Sequence, residues 1–309
     1  METKAQENRR EIDDYLQYIK SVRLLSERTV TAYACDLAKL GTFLKERDMG
    51  VYEVVFEDAR RFSAFLLGHY HAPASINRTL AAVRNFYLHA FRTGHCASNP
   101  FSRINGTPRG RRLPSVLSKE EVQLVIGQPY VDFPTFRDIM MFNLFYSTGC
   151  RLSELLAIGL QDIDRPEMRI LVHGKGSRER YVFLTPKTAR MLDGYLPKRE
   201  AWQLAHGVKN PSDRQALMLN LHGKRLSASS VHSIFRKYQL KLGIQKRFTP
   251  HVFRHSFATH MLDNDSGIRI VQELLGHASI STTQIYSHVS NERLRRVYER
   301  SHPHGRKEK

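Results

Sequence analysis

The sequence predicts a mainly α-helical chain with two domains, a helical N-terminal domain and a mixed α+β C-terminal domain with a small antiparallel sheet. Apolar residues recur at helical spacing through about residues 8–95. A stretch with internal prolines and glycines and no periodicity follows at residues 97–114. Within 168–184, β-branched and aromatic residues flank a glycine-rich turn, which is typical of a hairpin. A chain of 309 residues is long enough for two cores.

Charge points to a polyanionic partner. Lys and Arg number 48 against 30 Asp and Glu, a formal net charge of +18 with a pI near 10.0, which favours nucleic acid or a membrane surface. The sequence has no apolar run of the roughly 18 residues that a membrane span needs and no N-terminal signal core. Its three cysteines lack metal-ligand spacing. We therefore predict a cytoplasmic protein with reduced thiols, no metal and no membrane partner.

Four helices are expected in the N-terminal domain, residues 1–96. Ile12 begins the first apolar stripe, Ser26 is the predicted N-cap of the second helix, residues 56–70 form the third, and the fourth starts near Ser75. The fourth helix carries arginines on its polar face. Their ordinary role is a solvated surface, but in so basic a chain we predict contact with a DNA backbone. These arginines include Arg78 and Arg84.

Residues 97–114 are predicted to be a flexible basic linker. Arg109, Arg111 and Arg112 lie in it. A basic tether suits two lobes that close around a duplex, whereas the competing interpretation is an ordinary soluble linker. Only the excess of positive charge favours the first.

The C-terminal domain, residues 115–309, opens with a capping box formed by Ser118 and Glu121. A largely buried helix over 136–146 follows, and after its end Arg151 opens the next helix. Arginine beside an apolar run needs an anionic partner. Glu154 on the same helix face is one candidate and a bound phosphate is the other, and this segment alone does not rank them.

The predicted hairpin places Lys175 at its tip, between two glycines, with Arg178 close by. The segment lacks the spacing and the strand-to-helix context of a phosphate-binding P-loop. A solvent-exposed turn lysine is the commonest alternative.

Residues 249–286 combine groups that suit chemistry on a phosphate. Thr249 and Pro250 start a helix, on which His251 and Arg254 share a face. Gly276 is placed to end a later helix, so that His277 falls in a turn. Ser281 and Gln284 form a capping box for a short helix that carries Tyr286. Arginine and histidine bind phosphate oxygens, and a phenol can attack the phosphorus, although core packing is the ordinary role of a tyrosine.

Taken together, these motifs resemble the tyrosine recombinase (phage integrase) family, and within it the Xer-type recombinases. The matching blocks are LSERTVTAYACDLAKL, LPSVLSKEEV, YSTGCRLSELL, HGKGSRER, TPHVFRHSFATHML and VQELLGHASISTTQIYSHVSNERLRRVY. They span nearly the whole chain in the order R, K, H-x-x-R, H, Y. The resemblance implies a SAM-like core-binding domain in residues 1–96 and a catalytic domain in residues 115–309.

The resemblance also implies roles for six residues. Tyr286 would attack the scissile phosphate to form a 3′-phosphotyrosyl bond, and Arg151 and Arg254 would hold the non-bridging oxygens. Lys175 would be the general acid for the leaving 5′-oxygen and His251 would accept the tyrosine proton. His277 would add a hydrogen bond to the phosphate. The family uses no metal and no other cofactor.

Double-stranded DNA at a recombination site is the implied partner. Four protomers, in a homotetramer or a heterotetramer with a second recombinase, would exchange strands through a Holliday junction. The C-terminal segment from Ser290, with Leu294 and Val297 on one face, would dock on a neighbouring protomer. A requirement for a DNA translocase is left open.

Chromosome dimer resolution at a dif-like site is the predicted role, with mobile-element or phage integration as the alternative. A type IB topoisomerase shares the chemistry, but the helical N-terminal domain and the tail argue against it. The complete set of six residues argues against a non-catalytic DNA-binding protein. A metal-dependent nuclease would need an H-E-x-x-H or paired-carboxylate motif, which the sequence lacks.

Overall fold

The structure is a computed structural model that describes residues 3–70, 72–108, 115–174, 179–264, 266–276 and 291–305. The chain divides into two compact units, Met1–Arg112 and Leu113–Lys309. Each unit has a hydrophobic core of its own.

The first unit is helical, as predicted. Its four helices are α1 (Lys4–Ser21), α2 (Glu27–Lys45), α3 (Phe56–His69) and α4 (Pro73–Arg92). Ser26 caps α2 by accepting a hydrogen bond from the Thr29 amide at 3.3 Å, which confirms the predicted N-cap. The apolar stripes of the four helices meet in a core that includes Leu37, Leu40, Phe43, Phe62, Val83 and Phe86.

The described part of the predicted linker is folded onto this unit, so the prediction of a flexible tether was wrong for residues 97–108. Phe101 and Ile104 are buried in the core of the first unit. Arg84 donates hydrogen bonds to the carbonyl oxygens of both residues, at 3.1 and 2.6 Å. The sequence did not predict the burial of Phe101 and Ile104, because they stand among prolines and glycines without apolar periodicity. Arg109, Arg111 and Arg112 lie outside the described residues.

The second unit is built around α6, whose side chains are buried on nearly every side. Its helices are α5 (Lys119–Ile126), α6 (Phe133–Thr148), α7 (Leu152–Ala157), α8 (Pro186–Ala205), α9 (Pro211–Gln215), α10 (Ala228–Lys241), α11 (Pro250–Asp263), α12 (Ile268–Leu275) and α13 (Asn291–Ser301), with a 3-10 turn at Leu160–Asp162. The predicted capping box at Ser118 is confirmed, since Ser118 and Glu121 exchange hydrogen bonds at α5.

A three-stranded antiparallel sheet accompanies the helices, in the order β1-β2-β3. The strands are β1 (Ile163–Asp164), β2 (Arg169–His173) and β3 (Glu179–Phe183). The β2–β3 pair is the predicted hairpin, with Ile170 opposite Val182. Strand β1 was not predicted.

The C-terminal helix α13 packs on its own unit. Leu294 and Tyr298 are buried in the second core, and the Tyr298 hydroxyl donates a hydrogen bond to the Ser147 carbonyl at 2.9 Å. Leu294 therefore has a local core, contrary to the expectation that only a neighbouring protomer would cover it. Val297, the other apolar residue of the predicted face, is half-buried.

None of the helices within the described ranges is long and apolar enough to cross a membrane. Among the same residues, no cluster of three or more His, Cys, Asp and Glu side chains is arranged to hold a metal ion.

Candidate active site

A buried carboxylate, Glu154, lies beside two of the predicted site residues, Arg151 and Arg254. It occupies the first turn of α7, and only 1% of its side chain is exposed. Arg151 donates to it from the backbone amide and from Nη1, both at 2.7 Å. Arg180 donates from both Nη atoms, each at 2.9 Å. Burial alone would raise the pKa of Glu154, but these arginines lower it to about 2, so the carboxylate is charged at neutral pH.

Three arginines, Arg151, Arg180 and Arg254, pair with Glu154 and also donate hydrogen bonds to carbonyls at the C-terminal end of α12. Arg180 Nε donates to the Leu274 carbonyl at 3.0 Å, Arg254 Nη2 to the Leu275 carbonyl at 2.7 Å, and Arg151 Nη2 to the Gly276 carbonyl at 2.9 Å. The last carbonyls of a helix have no partner within it and carry its negative dipole end. Cations are therefore stabilised at this position.

Arg254 is the deepest of the three. It projects from α11, which Thr249 caps as predicted, and its Nη1 donates to the Gly149 carbonyl at 2.7 Å. Gly149 ends α6 in the left-handed conformation, with φ of 59°. Burial, together with the charge of nearby Arg151, lowers the pKa of Arg254 to about 10, which leaves the guanidinium charged at neutral pH.

Arg151 is the most open of the three, with 41% of its side chain exposed. The sequence left its partner undecided between Glu154 and a phosphate, and here Glu154 binds it. A guanidinium has five N–H donors, and the hydrogen bonds to Glu154 and Gly276 use two of them. Arg151 thus keeps donors for an anion while its position is fixed.

The structure brings together only part of the predicted set. His251 is exposed on the first turn of α11, three residues before Arg254, and His255 is half-buried on the same helix. The predicted end of α12 is confirmed, because Gly276 adopts the left-handed conformation with φ of 64°. Lys175, Arg178, His277 and Tyr286 lie outside the described residues.

Of the arginines predicted to contact DNA, two are described. Arg78 forms an ion pair with Asp36 through Nε and Nη2, at 2.7 and 3.1 Å, while 54% of its side chain stays exposed. Asp36 is fully buried, and Lys39 and Thr79 also donate to it. Arg84 is instead engaged by the loop carbonyls described above, which gives it a structural partner.

Arg180 is a further residue of this cluster, and the sequence did not single it out. Exposure decreases along β3 from Glu179 to Phe183, and this pattern gives no local sign of the partners of Arg180. Those partners, Glu154 and Leu274, lie on other elements that are far away along the chain.

Family models match most of the chain. Residues 115–293 match the phage integrase family, and residues 12–94 match the phage integrase N-terminal SAM-like domain.

Known proteins of similar sequence include Xer recombinases. Tyrosine recombinase XerD of Lacticaseibacillus casei is 35% identical over 297 residues, which cover 95% of this chain and 99% of that protein. Tyrosine recombinase XerC of Treponema denticola is 34% identical over 302 residues, covering 94% and 98%.

Solved structures share the fold. A XerH site-specific recombinase bound to palindromic difH substrate, in a post-cleavage complex, matches with a TM-score of 0.69 and 22% identity. The match covers 92% of this chain and 82% of that one. A lambda integrase dimer bound to a COC′ core site matches with a TM-score of 0.68 and 16% identity, covering 91% and 99%.

Proposed function

The chain belongs to the phage integrase family of tyrosine recombinases, and we propose that it cuts and rejoins DNA at a specific site through a covalent 3′-phosphotyrosyl intermediate. The observation that carries the proposal is the pair Arg151 and Arg254, fixed around Glu154 and the end of α12. Two guanidinium groups held side by side are suited to bind the non-bridging oxygens of one phosphate.

In this mechanism Tyr286 attacks the scissile phosphorus, and the 5′-oxygen leaves. Arg151 and Arg254 stabilise the charge that develops on the pentacovalent transition state. Because their positions are set by Glu154 and by backbone carbonyls, little reorganisation is needed when that charge appears. Arg254 is mostly desolvated, which strengthens its attraction for an anion.

Proton transfers complete the scheme. His251, exposed beside Arg254 on α11, accepts the proton of the attacking phenol and returns it on religation. Lys175 protonates the leaving 5′-oxygen, and His277 donates a further hydrogen bond to the phosphate. The reverse reaction, with a new 5′-hydroxyl, joins the exchanged strands without a cofactor, since the phosphotyrosine conserves the energy of the broken bond.

Each of the two units would have its own role in the reaction. The first unit, including residues 97–108 that pack on its core, would form the core-binding domain. Residues 115–309 would form the catalytic domain with its interprotomer tail. Arg78 would contact the DNA backbone, as would Arg109, Arg111, Arg112 and Arg178. The tail contact would need residues other than Leu294 and Tyr298, because both are covered within the unit.

For the natural substrate, we propose a dif-like site in the cytoplasm and a role in chromosome dimer resolution. Support comes from relatives named XerD and XerC and from a fold neighbour bound to difH. The working assembly would be a tetramer, either of this chain alone or with a second recombinase. Sequencing DNA recovered in covalent adducts from cells tests this, since sites within mobile elements would favour an integrase instead.

The test of the chemistry is adduct formation on a nicked suicide substrate, from which the short 5′-product diffuses away. The wild type should form a covalent protein–DNA adduct, and Tyr286→Phe should form none while binding the same DNA. Tyr130→Phe, at an exposed tyrosine of the second unit, is the matched control and should react normally. An adduct that survives in Tyr286→Phe would contradict the assignment of the nucleophile.

A further inference from the structure

Arg180 binds Glu154 and the C-terminal end of α12, which also bind Arg151 and Arg254, the two proposed phosphate-binding arginines. Its two Nη atoms grip Glu154, which also binds Arg151. Its Nε binds the Leu274 carbonyl, next to the Leu275 and Gly276 carbonyls that anchor Arg254 and Arg151. A single side chain on β3 therefore links α7 to the end of α12.

We propose that Arg180 is a positioning residue for strand cleavage, one that fixes Glu154 and the α12 end so that Arg151 and Arg254 meet the scissile phosphate correctly. The inference rests on the function proposed above. It adds a residue of the hairpin strand whose effect on the phosphate is exerted through Arg151 and Arg254.

Hydrogen bonding and exposure separate Arg180 from a phosphate ligand. Three of its five N–H donors are already used within the protein. Only 16% of its side chain is exposed, against 41% for Arg151. Its guanidinium also lies flat against Gly276, where an added Cβ would come within 3.0 Å of Nη1. The group is confined on all these sides, which suits a structural link better than a contact to substrate.

Charge balance gives the second argument. Glu154 is buried, and with one guanidinium fewer it would be compensated mainly by Arg151. A buried carboxylate that is short of partners draws the remaining cation closer or takes up a proton. Either response displaces Arg151, the most exposed of the three arginines. With Arg180 in place, three arginines and one carboxylate give the cluster a net charge of 3 − 1 = +2.

The experiment compares single-turnover adduct formation by wild type, Arg180→Met and Arg180→Lys on two nicked substrates. One carries the natural phosphodiester at the scissile position and the other a neutral methylphosphonate. On the phosphodiester, Arg180→Met should react about 100-fold more slowly, as expected for a slightly misplaced active group, with DNA affinity nearly unchanged. On the methylphosphonate, the loss of rate should shrink to about tenfold or less, because less negative charge develops for Arg151 and Arg254 to stabilise.

Arg180→Lys supplies the conservative comparison. A lysine restores the charge beside Glu154 but not the fork, nor the bond to the Leu274 carbonyl. Its rate should therefore fall between those of the wild type and Arg180→Met. If Arg180→Met does not fold, the ratio of the two substrates measured for Arg180→Lys decides the same question.

Arg199→Met is the matched control. Arg199 is also buried, and it donates to the Ala216 carbonyl at 2.7 Å, but it binds no residue of the site. It should lower the melting temperature without a defect that depends on the substrate.

Wild-type rates for Arg180→Met, an equal defect on both substrates, or a loss of DNA affinity that accounts for the loss of rate would each overturn the inference. Absence of any adduct with the wild type would instead count against the proposed function itself.

Discussion

At the scale of single residues, the site depends on a carboxylate that is useful only while charged. Glu154 is buried, and burial disfavours its ionised form, yet two arginines hold it ionised. Glu154 in turn fixes the position of Arg151, and Arg151 keeps N–H donors that can bind a ligand. An apolar residue of similar size would leave the guanidinium groups to repel each other.

Replacement of Glu154 by glutamine tests this directly through pH. The pKa of Glu154 falls from 4.5 to about 2 on folding, which corresponds to roughly 3 kcal/mol of stability above pH 5. Because the folded-state pKa is depressed, that stability is present above the unfolded pKa and is lost as the pH falls toward 2. Urea denaturation at pH 7, 5 and 3 should show Glu154→Gln less stable by about 3 kcal/mol at pH 7 and less sensitive to acid.

Glu299→Gln provides the comparison for that measurement. Glu299 forms an exposed ion pair with Arg295 in the same unit, and such pairs contribute little. A Glu154→Gln protein that keeps the wild-type loss of stability between pH 5 and 3 would show that Glu154 is not the group that titrates.

The sequence predicted Arg151 and Arg254 as site residues, but it did not predict their hydrogen-bond partners. Arg151 and Arg254 follow from motifs, whereas the choice between Glu154 and a phosphate as partner of Arg151 needed the structure. Arg180 could not be singled out, since its carbonyl partner at Leu274 lies in a helix that the hairpin sequence says nothing about. Ion pairs between distant elements leave no periodic signal.

At the scale of elements, local chemistry decided what could be predicted. The N-caps at Ser118 and Thr249 and the glycine stop after α12 are set by a few adjacent residues, and all three are confirmed. Strand β1 has only two residues, too few to show alternation. Phe101 and Ile104 were hidden because they are isolated among turn-forming residues, and their burial depends on α4.

The turn between α6 and α7 is an element that tolerates only glycine. Gly149 has φ of 59°, and an added Cβ would lie 2.4 Å from the ring of Phe257. Gly149→Ala should therefore combine the left-handed backbone cost of about 1–2 kcal/mol with a clash that displaces α11, which carries Arg254. We expect a fall in both melting temperature and adduct formation.

Gly207→Ala isolates the clash from the backbone cost. Gly207 has the same φ of 59°, in the same unit, but its added Cβ would meet nothing within 4 Å. It should lose stability by the backbone cost alone and keep full activity once folded. Equal effects of the two substitutions on cleavage would contradict the role given to the Phe257 contact.

At the scale of the whole molecule, the sequence anticipated two domains from the chain length and the break after residue 96. It did not anticipate which side of the break the following residues join, because that depends on the core they fill. The structure has two separate cores. The second unit contains Glu154 and a buried histidine, His302, near the C-terminus.

His302 is held as a neutral imidazole. Its Nε2 donates to the Tyr146 carbonyl, and its Nδ1 accepts from the His304 amide, both at 3.0 Å. A proton on Nδ1 would cost the second bond, and the surroundings are the rings of Phe257 and Tyr298. Burial accordingly lowers the pKa of His302 to about 3.

Mild acid should therefore destabilise the second unit through His302. Between pH 6.5 and 3 the unfolded chain binds a proton that the folded chain excludes, which costs about 1.4 kcal/mol of stability for each pH unit. Differential scanning calorimetry at pH 7 and pH 5 should show the transition of the second unit moving to lower temperature, and His302→Gln should reduce that movement. Burial also lowers the pKa of His260, so part of the movement should remain.

Two core substitutions assign the transitions in that experiment. Leu40→Ala creates a cavity in the first unit and Phe142→Ala one in the second, and both side chains are fully buried, so each should shift one transition by the equivalent of about 2–5 kcal/mol. His222→Gln, at an exposed histidine of the second unit, should leave the acid response unchanged. If His302→Gln responds to acid as the wild type does, the sensitivity arises elsewhere, and the C-terminal segment is not the part of the molecule that mild acid loosens.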